Sequence, residues 1–428
     1  MTTFVAEPYG GGLNGRIRVP GDKSVSHRAL LLAARAAGRS RLAGLSTGED
    51  VLCTLRAMDQ FGAGISRDSD GSLLVDGGLE RLGEPESLVD VGNSGTAIRL
   101  LTGWATGVDG LAVLAGDASI ARRPMDRVTE PLRLMGARID GRQGGRLPPL
   151  VVRGGGLTGI DYRLPVPSAQ VKGAVLLAGL TADGETTVRE DVPTRIHTEE
   201  MLARCGADIR ILPGAVTVRP GPLQALDLQV PGDPSQAAFW IVAACVTPGS
   251  DVTVEHIYVG PGRAGFLDVL TRMGADLQIL DKDGASSTAT IRARYGPLTA
   301  TFVGGGEVPA LIDEIPALAV AAAYAAGSTT FSDAAELRVK ESDRIATMVT
   351  ALRSVGVDAE ELTDGLVVQG SDGRPLRGGL IDSAGDHRVA MAMAVAALAA
   401  SAPVTVSGWE AVATSYPGFE EEYRRCGS

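Results

Sequence analysis

An alanine-rich helix pattern that recurs six times along the chain constrains its fold more than any other feature of the sequence. Each copy opens with a small polar or acidic residue. Because apolar residues recur at helical spacing, and the whole pattern returns about every seventy residues, the chain is predicted to consist of repeated structural units. The six copies begin near Ser24, Thr96, Ser168, Ser235, Asp313 and Asp386.

A second helix pattern follows in several of the copies and ends in a glycine. Its endings read LRLMGA at 132–137, MLARCGA at 201–207, LTRMGA at 270–275 and LRSVGV at 352–357. Glycine at that place is typical of a helix C-cap, and the alternating segments that follow favour short β-hairpins. Each unit is therefore predicted to contain a helix, a strand, a second helix and a hairpin. The fold class is α/β (α+β), with one helix of each unit buried beneath a sheet.

The repeats divide into two halves of three units. The stretch IRVPGDKS at 17–24 is echoed by LQVPGDPS at 228–235, close to half the chain further on. We predict an N-terminal lobe over 21–231 and a C-terminal lobe formed by 1–20 together with 232–428. Pro-Gly-Asp would act as the hinge at both crossings between lobes, and a binding cleft between the lobes is expected.

Composition narrows the functional classes. With 428 residues, 44% of them hydrophobic, the chain is long enough for two cores. A net charge of −11 and an aromatic content of 4% argue against a nucleic-acid surface. Widely spaced cysteines (Cys53, Cys205, Cys245 and Cys426) and four histidines predict no metal site and reduced thiols. Since no membrane span or signal peptide is apparent either, we expect a cytoplasmic protein with no membrane partner.

Basic residues gather near the beginnings of the alanine-rich helices although the chain is acidic. Helix N-termini carry unsatisfied N–H groups and a positive dipole end, so added cations there favour anion binding. For any single basic residue, the simpler interpretation is a side chain that extends along the surface with its charge in water. For the whole set, that interpretation is not the simpler one. The residues are Lys23, Arg28, Arg99, Lys172 and Arg388.

Two glycine-containing stretches resemble phosphate-binding loops. The PGDKS stretch at 20–24 lacks the spacing of a nucleotide P-loop, because Asp22 separates the glycine from Lys23. The GNSGT stretch at 92–96 opens an alanine- and leucine-rich helix, so its backbone N–H groups could face an anion. Only the second stretch is retained as a weak indication of a phosphate site.

Candidate acids and bases occur at two further helix starts. Asp313 and Glu314 stand at one, and the KESDR stretch at 340–344 combines Lys340 and Glu341 with further charges at the other. A carboxylate beside a cation in a closed cleft can be held ionised or ready to move a proton. The alternative for KESDR is an ordinary solvated, salt-bridged turn. No histidine pairing suggests a Ser/His/Asp triad.

Seven stretches together closely resemble the 5-enolpyruvylshikimate-3-phosphate synthase family, most of all its bacterial class II branch. The resemblance implies a two-domain, inside-out α/β barrel-like enolpyruvyl transferase fold of six βαβαββ units. The stretches span nearly the whole chain in the family order: PGDKSVSHR (20–28), DVGNSGTAIRL (90–100), GDASIARRPMDRV (116–128), PSAQVKGAVLLAGL (167–180), ALIDEIP (310–316), ELRVKESDRI (336–345) and GDHRVAMAM (385–393).

The resemblance implies two groups of ligand-binding residues. Those for shikimate 3-phosphate are Lys23, Ser24, Arg28, Ser168, Ala169, Gln170, Arg195, Asp313 and Lys340. Those for phosphoenolpyruvate are Lys23, Gly95, Arg123, Gln170, Arg344 and Arg388, where guanidinium groups suit carboxylate and phosphate.

The implied chemistry is addition followed by elimination, without metal or organic cofactor. Asp313 would serve the 5-hydroxyl of shikimate 3-phosphate and Glu341 the methylene carbon of phosphoenolpyruvate, with Lys23 assisting. The enzyme would be monomeric, would bind only small molecules and would belong to the shikimate pathway, which makes it a possible target of the herbicide glyphosate. The sequence does not decide sensitivity to it.

Three departures from the family pattern and three alternative functions remain. Ile196 stands where relatives often have Asp, Ala169 where another branch has Ser, and ATSYPGF at 413–419 offers no Lys for phosphoenolpyruvate. One alternative is the transferase acting on UDP-N-acetylglucosamine, although the loop at 117–124 lacks that enzyme's Cys. The others are a paralogue in specialised metabolism and a non-catalytic repeat-type binding protein.

Overall fold

The chain forms two compact units in the computed structural model, which describes residues 2–284 and 286–426. One comprises Gly21–Val230 and is called the N-terminal unit below; the other comprises Met1–Pro20 with Pro231–Ser428 and is called the C-terminal unit. The sequence-based boundary after residue 231 lies one residue further along. Met1, Ala285, Gly427 and Ser428, which fall in the predicted C-terminal lobe, lie outside the described residues.

Six alanine-rich helices, the core helices, follow the predicted repeat. All six are mainly buried, because Ala, Leu and Val occupy nearly every position rather than one face. The fifth begins two residues later than predicted, since residues 312–314 form a separate 3₁₀ turn. The core helices are Lys23–Arg35, Gly95–Ala105 and Ala169–Gly179 in the N-terminal unit, and Pro234–Val246, Ile315–Tyr324 and His387–Ala397 in the C-terminal unit.

A second series of helices lies nearer the surface and has a buried and an exposed face. The predicted C-cap glycines Gly136, Gly206, Gly274 and Gly356 all have positive φ, as the termination of these helices requires. The helices are Glu49–Gln60, Asp126–Leu134, His197–Arg204, Gly265–Arg272, Arg344–Ser354 and Phe419–Cys426. Shorter turns occupy Leu79–Arg81, Ile120–Arg122, Arg142–Gly145, Gly305–Ala310, Ile312–Glu314, Ala335–Val339 and Trp409–Thr414.

Three four-stranded sheets cover the core helices of the N-terminal unit. In each, the first strand runs parallel to the second and the remaining neighbours are antiparallel. In spatial order the first sheet contains Asp227–Gln229, Gly38–Ala43, Leu73–Gly77 and Gly64–Arg67. The second contains Val89–Asp90, Leu111–Ala115, Leu147–Arg153 and Arg138–Gly141, and the third Asp161–Arg163, Thr186–Arg189, Ala215–Val218 and Ile209–Leu212.

The sheets of the C-terminal unit incorporate the start of the chain. Asn14–Ile17 pairs in parallel with Asp251–Tyr258, and Thr3–Ala6 pairs antiparallel with Val404–Ser407. Two of its sheets have four strands, Asp276–Asp283, Thr288–Arg294, Asp251–Tyr258 and Asn14–Ile17 in one, and Phe302–Val303, Ser328–Phe331, Gly365–Gln369 and Asp358–Leu362 in the other. The third contains Thr3–Ala6, Val404–Ser407 and Gly379–Asp382.

Each unit has its own hydrophobic core, built mainly from its three core helices and the inner faces of its sheets. The mixed α/β class and the repeated units predicted from the sequence are thus confirmed. Among the helices that the structure describes, none combines the length and apolar character needed to cross a membrane.

Candidate active site

Capped N-termini of the core helices place most of the predicted residues of the N-terminal unit. Asp22 Oδ1 accepts from the N–H of Val25, Ser94 Oγ from Ala97 and Ser168 Oγ from Val171, which fixes where each helix begins. Contacts between the side chains of neighbouring helices link these ends. Of the predicted binding residues of this unit, Lys23, Ser24, Gly95, Ser168, Ala169 and Gln170 therefore lie at the starts of its core helices.

Lys23 and Arg28 stand on the first of these helices, and both are held by side-chain contacts. Lys23 Nζ lies 2.8 Å from Asp50 Oδ2, a carboxylate that sequence reasoning missed because it is distant in the chain. Arg28 is buried and donates from Nε to Thr198 Oγ1 at 2.7 Å and from Nη1 to the carbonyl of Ser24 at 2.9 Å. The two cations are thus held in position rather than left to move in solvent.

Gly95 begins the second core helix beside the guanidinium of Arg123. Arg123 donates to Asn93 Oδ1 at 3.0 Å and to Ser119 Oγ at 3.3 Å. A Cβ atom at Gly95 would lie 2.6 Å from Arg123 Nη1, so glycine is needed for the guanidinium to approach this helix end. As a motif, the GNSGT stretch is only a weak indication of a phosphate site. In the structure it lies beside a guanidinium group that is suited to binding an anion.

Gln170 joins the starts of the second and third core helices. Its Nε2 donates to Thr96 Oγ1 at 2.9 Å, and its Oε1 accepts from Arg99 Nη1 at 2.7 Å. Ala169 is the first residue of the third helix and Ser168 its cap. The positions of these residues agree with the predicted cluster, and Arg99 contacts one of its members.

The prediction that Lys172 belongs to the set of cations at helix starts that binds an anion is wrong. Its side chain is completely buried, with Nζ 2.9 Å from Glu190 Oε1 and 2.6 Å from Glu199 Oε1. Burial raises the pKa of Glu199, against the opposing effect of Lys172. Periodicity placed Lys172 on the core helix correctly, but the two carboxylates come from segments that the sequence pattern did not connect to it. Arg195 lies between those carboxylates in the chain and is half-buried.

His27 is buried between the first two core helices. Nδ1 lies 2.7 Å from Thr54 Oγ1, and Nε2 lies 3.5 Å from Ser94 Oγ. Burial, together with the charges of Lys23 and Arg28, lowers the pKa of His27 well below its ordinary value. A neutral imidazole adds no charge to the helix ends.

In the C-terminal unit, Asp313 lies among three cations. Its Oδ1 is 3.6 Å from Lys340 Nζ and 3.7 Å from Arg344 Nη1, and its carbonyl accepts from Arg388 Nη1 at 3.0 Å. Asp313 and Lys340 remain partly exposed, whereas Arg344 and Arg388 are buried. The structure thus places three of the five residues predicted for this unit around a fourth, Asp313.

Arg344 connects Asp313 with the fifth residue, Glu341. Arg344 Nη2 lies 2.5 Å from Glu341 Oε2, and Nε lies 2.8 Å from Asp386 Oδ2. Burial alone would lower the pKa of Arg344, but the charges of Asp386, Glu341 and Asp313 raise it above the ordinary value. The KESDR stretch is therefore not a solvated turn, because its arginine is buried in a network of carboxylates.

Sequence reasoning assigned no role to Asp386, although this residue belongs to the GDHRVAMAM stretch at 385–393. It caps the last core helix by accepting from the N–H of Arg388 at 2.9 Å, and it holds Arg344 at the same time. Its position directly before an alanine-rich helix was the available signal for the cap. Within 2–284 and 286–426, no group of three or more His, Cys, Asp and Glu side chains is arranged to hold a metal ion.

Comparison with known proteins identifies the family. A family model described as EPSP synthase (3-phosphoshikimate 1-carboxyvinyltransferase) matches residues 9–423. A protein named 3-phosphoshikimate 1-carboxyvinyltransferase from Synechococcus sp. (strain RCC307) is 49% identical to this chain, and the match covers 97% of each of the two chains. A protein of the same name from Pelotomaculum thermopropionicum is 50% identical, and that match covers 96% of each chain.

Solved structures give the same result. An EPSP synthase from Acinetobacter baumannii superposes with a TM-score of 0.89 at 42% identity, covering 99% of this chain and 98% of that chain. The enolpyruvyl transferase NikO from Streptomyces tendae has a TM-score of 0.77 at 19% identity over 99% of this chain and 97% of that chain, which shows a shared fold. The architecture is thus that of the enolpyruvyl transferases. More narrowly, this chain belongs to the EPSP synthase family, which confirms the resemblance seen in the sequence.

Proposed function

We propose that the chain transfers the enolpyruvyl group of phosphoenolpyruvate to the 5-hydroxyl of shikimate 3-phosphate. The products are 5-enolpyruvylshikimate 3-phosphate and inorganic phosphate, and the reaction belongs to the shikimate pathway, which leads through chorismate to the aromatic amino acids. Membership of the family supports this activity. The observation that carries it from the residues is the network around Arg344, in which Asp313 and Glu341 share one buried guanidinium.

Shikimate 3-phosphate is proposed to bind mainly to the N-terminal unit. Lys23 and Arg28 supply charge, and hydroxyl and amide groups at the helix starts supply hydrogen bonds. Arg195 would contact the phosphate, while two residues of the C-terminal unit complete the set. The proposed residues are Lys23, Ser24, Arg28, Ser168, Ala169, Gln170, Arg195, Asp313 and Lys340.

Phosphoenolpyruvate is proposed to bind at guanidinium groups contributed by both units. Arg123 beside Gly95 suits a carboxylate or phosphate in a bidentate arrangement, and so do Arg344 and Arg388. Lys23 and Gln170 would contact both ligands. Because each set includes residues of both units, the proposal requires both units to contribute side chains to the binding of one pair of substrates.

The proposed reaction needs two opposite proton transfers at one carbon. The 5-hydroxyl oxygen attacks C2 of phosphoenolpyruvate and gives its proton to Asp313, while C3 gains a proton from Glu341. In the elimination, Glu341 takes a proton back from C3, the C2–C3 double bond forms again, and phosphate leaves with the bonding electron pair and takes up the proton held by Asp313, so both carboxyl groups return to their initial states. These steps require Asp313 to be ionised and Glu341 to be protonated at the start, and Lys23 assists with its own charge.

The neighbouring enzyme class that acts on UDP-N-acetylglucosamine is not supported by the relatives found. We further propose that the enzyme is cytoplasmic, monomeric and independent of nucleic acids and added cofactors. The cysteines that the structure describes are all unpaired and buried, as expected in a reducing compartment. These additional properties rest on composition and cysteine state.

Phosphate release tests the proposal. Purified protein should release phosphate only when both phosphoenolpyruvate and shikimate 3-phosphate are present. Asp313→Ala and Glu341→Gln should abolish release without changing the melting temperature greatly, while Glu360→Gln, at an exposed strand position, should behave as wild type. Absence of turnover by folded wild-type protein would point instead to the paralogue or to the binding protein.

A further inference from the structure

Lys172 is a buried cation that the proposed reaction does not use. It lies in the first turn of the Ala169–Gly179 core helix, where its N–H donates to the carbonyl of Ser168 at 3.0 Å. Its side chain is 0% exposed and its Nζ contacts two carboxylates. A completely buried ammonium is costly unless its geometry is well satisfied, so this arrangement requires a structural explanation.

The two carboxylates stand at opposite ends of the segment that carries Arg195. Glu190 precedes it, and Glu199 follows it in the first turn of the His197–Arg204 helix. Lys172 Nζ joins both, at 2.9 Å and 2.6 Å. Residues 190–199 therefore form a loop whose two ends are fastened to one point on the core helix.

Further hydrogen bonds close the loop at its Glu190 end. Glu190 Oε2 accepts from the N–H of Thr194 at 3.2 Å and from its hydroxyl at 2.6 Å. At the other end, the helix cap is Ile196, which has no side-chain acceptor for the first N–H groups. The ion pair between Glu199 and Lys172 thus anchors the start of this helix to the core helix.

The same helix start also holds Arg28. Thr198 Oγ1 accepts from Arg28 Nε at 2.7 Å, and it would lie 2.8 Å from a Cβ atom added at Gly173. Gly173 follows Lys172 directly, so the core helix and the His197–Arg204 helix approach closely at this point. A shift of Glu199 would therefore move Thr198 and, through it, Arg28.

We propose that Lys172 is a positioning residue for shikimate 3-phosphate. It fastens both ends of residues 190–199 to the core helix, and in this way it sets the positions of Arg195 and Arg28. Its complete burial excludes direct contact with the ligand. The inference rests on the proposed function, in which Arg195 and Arg28 bind that ligand.

A double-mutant cycle tests this role in the full-length protein. The dissociation constant of shikimate 3-phosphate is measured by calorimetry for wild type, Lys172→Met, Arg195→Gln and the double variant. Because a displacement of about 1 Å can cost up to a hundredfold, we expect Lys172→Met to weaken binding at least about tenfold. The double variant should bind less weakly than the product of the two single effects predicts, since part of the effect of Lys172 is transmitted through Arg195.

Arg35→Met is the matched control. Arg35 is a buried cation of the same unit. It donates to the carbonyls of Leu177 and Trp104, which lie at the C-terminal ends of the third and second core helices, far along the helices from their starts. Its replacement should lower the melting temperature and leave the dissociation constant of shikimate 3-phosphate within about twofold, as for a site independent of the ligand. A purely structural role of Lys172 would give the same result as this control.

The outcomes separate the two proposals. If Arg195→Gln leaves binding unchanged, the proposed role of Arg195 fails. If Arg195→Gln weakens binding but Lys172→Met does not, or if their effects add fully, the positioning role is overturned. Should Lys172→Met fail to fold, Thr194→Val, which removes only the hydroxyl bond to Glu190, replaces it in the cycle. It should weaken binding about threefold or more without adding to Arg195→Gln, and unchanged binding would refute the inference.

Discussion

The two units share one architecture but surround their core helices with different charges. In the N-terminal unit the helix starts present Lys23, Arg28 and Arg99, with Asp50 as a carboxylate partner of Lys23. In the C-terminal unit the corresponding region holds several carboxylates around buried arginines. Its members are Asp233, Asp313, Glu314, Glu341 and Asp386 with Arg263, Arg344 and Arg388. The same repeated fold therefore places mainly cations at the helix starts of one unit and a network of carboxylates and buried arginines in the other.

This difference teaches that the repeat determines where charged residues lie, but not what they do. Helix N-termini favour anions in both units, through their dipole and free N–H groups. In the C-terminal unit, Asp233 and Asp386 are the N-cap residues of two core helices. Because these caps are carboxylates, they also bind arginines: Asp233 pairs with Arg263 and Asp386 with Arg344. Variants in the two units should accordingly affect different kinetic constants.

The largest effect is expected from Asp313→Asn in the C-terminal unit. The change keeps size and removes the carboxylate that would accept the proton of the 5-hydroxyl, so kcat should fall about 10²- to 10⁴-fold. The dissociation constant of shikimate 3-phosphate should change far less than kcat. Single-turnover rates and calorimetry measure the two quantities, and a variant that loses binding but keeps its rate would erase the distinction between the units.

Arg123→Gln in the N-terminal unit should have the next largest effect. Loss of a charge-assisted contact of about 1.5–3 kcal/mol corresponds to a rise of about ten- to a hundredfold in KM for phosphoenolpyruvate. The matched control is Arg122→Gln, at an exposed neighbouring position, which should leave KM unchanged. Equal effects of both variants would mean that general positive charge, rather than the placed guanidinium, attracts the ligand.

His27 gives the N-terminal unit a pH dependence of stability. Its folded pKa lies below the unfolded value, so the unfolded state binds the extra proton first as the pH falls. Its contribution is retained above about pH 6.5 and is lost below it, by about 1.4 kcal/mol for each pH unit until the folded pKa is reached.

Denaturant unfolding between about pH 7 and about pH 5 measures this slope. His27→Gln should flatten it relative to wild type, whereas His256→Gln, at an exposed position of the C-terminal unit, should not. Identical slopes in all three proteins would show that His27 does not govern the acid sensitivity of its unit.

The sequence predicted the helices and the family better than it predicted the partners of each charge. Periodicity located the six core helices, because their burial on all sides leaves a long apolar pattern. It could not distinguish Lys23, which remains partly exposed, from Lys172, which is completely buried, since both stand in the first turn of such a helix. The carboxylates that decide the difference, Asp50 and Glu199, come from other segments, and only the tertiary structure brings them near.

The smallest effect is expected from Gly95→Ala. A Cβ atom there would lie 2.6 Å from Arg123 Nη1 and 3.2 Å from Arg99 Nη1, so the flexible guanidinium of Arg123 must move. Losing one hydrogen bond of ordinary strength should raise KM for phosphoenolpyruvate about three- to tenfold, with little change in the dissociation constant of shikimate 3-phosphate. Gly83→Ala, where a Cβ atom meets no neighbour within 4 Å, is the control. In the background of Arg123→Gln the added methyl should have a much smaller effect, because the group it displaces is absent. If Gly95→Ala raises KM for phosphoenolpyruvate equally in that background, the added methyl acts on the ligand directly rather than by displacing Arg123.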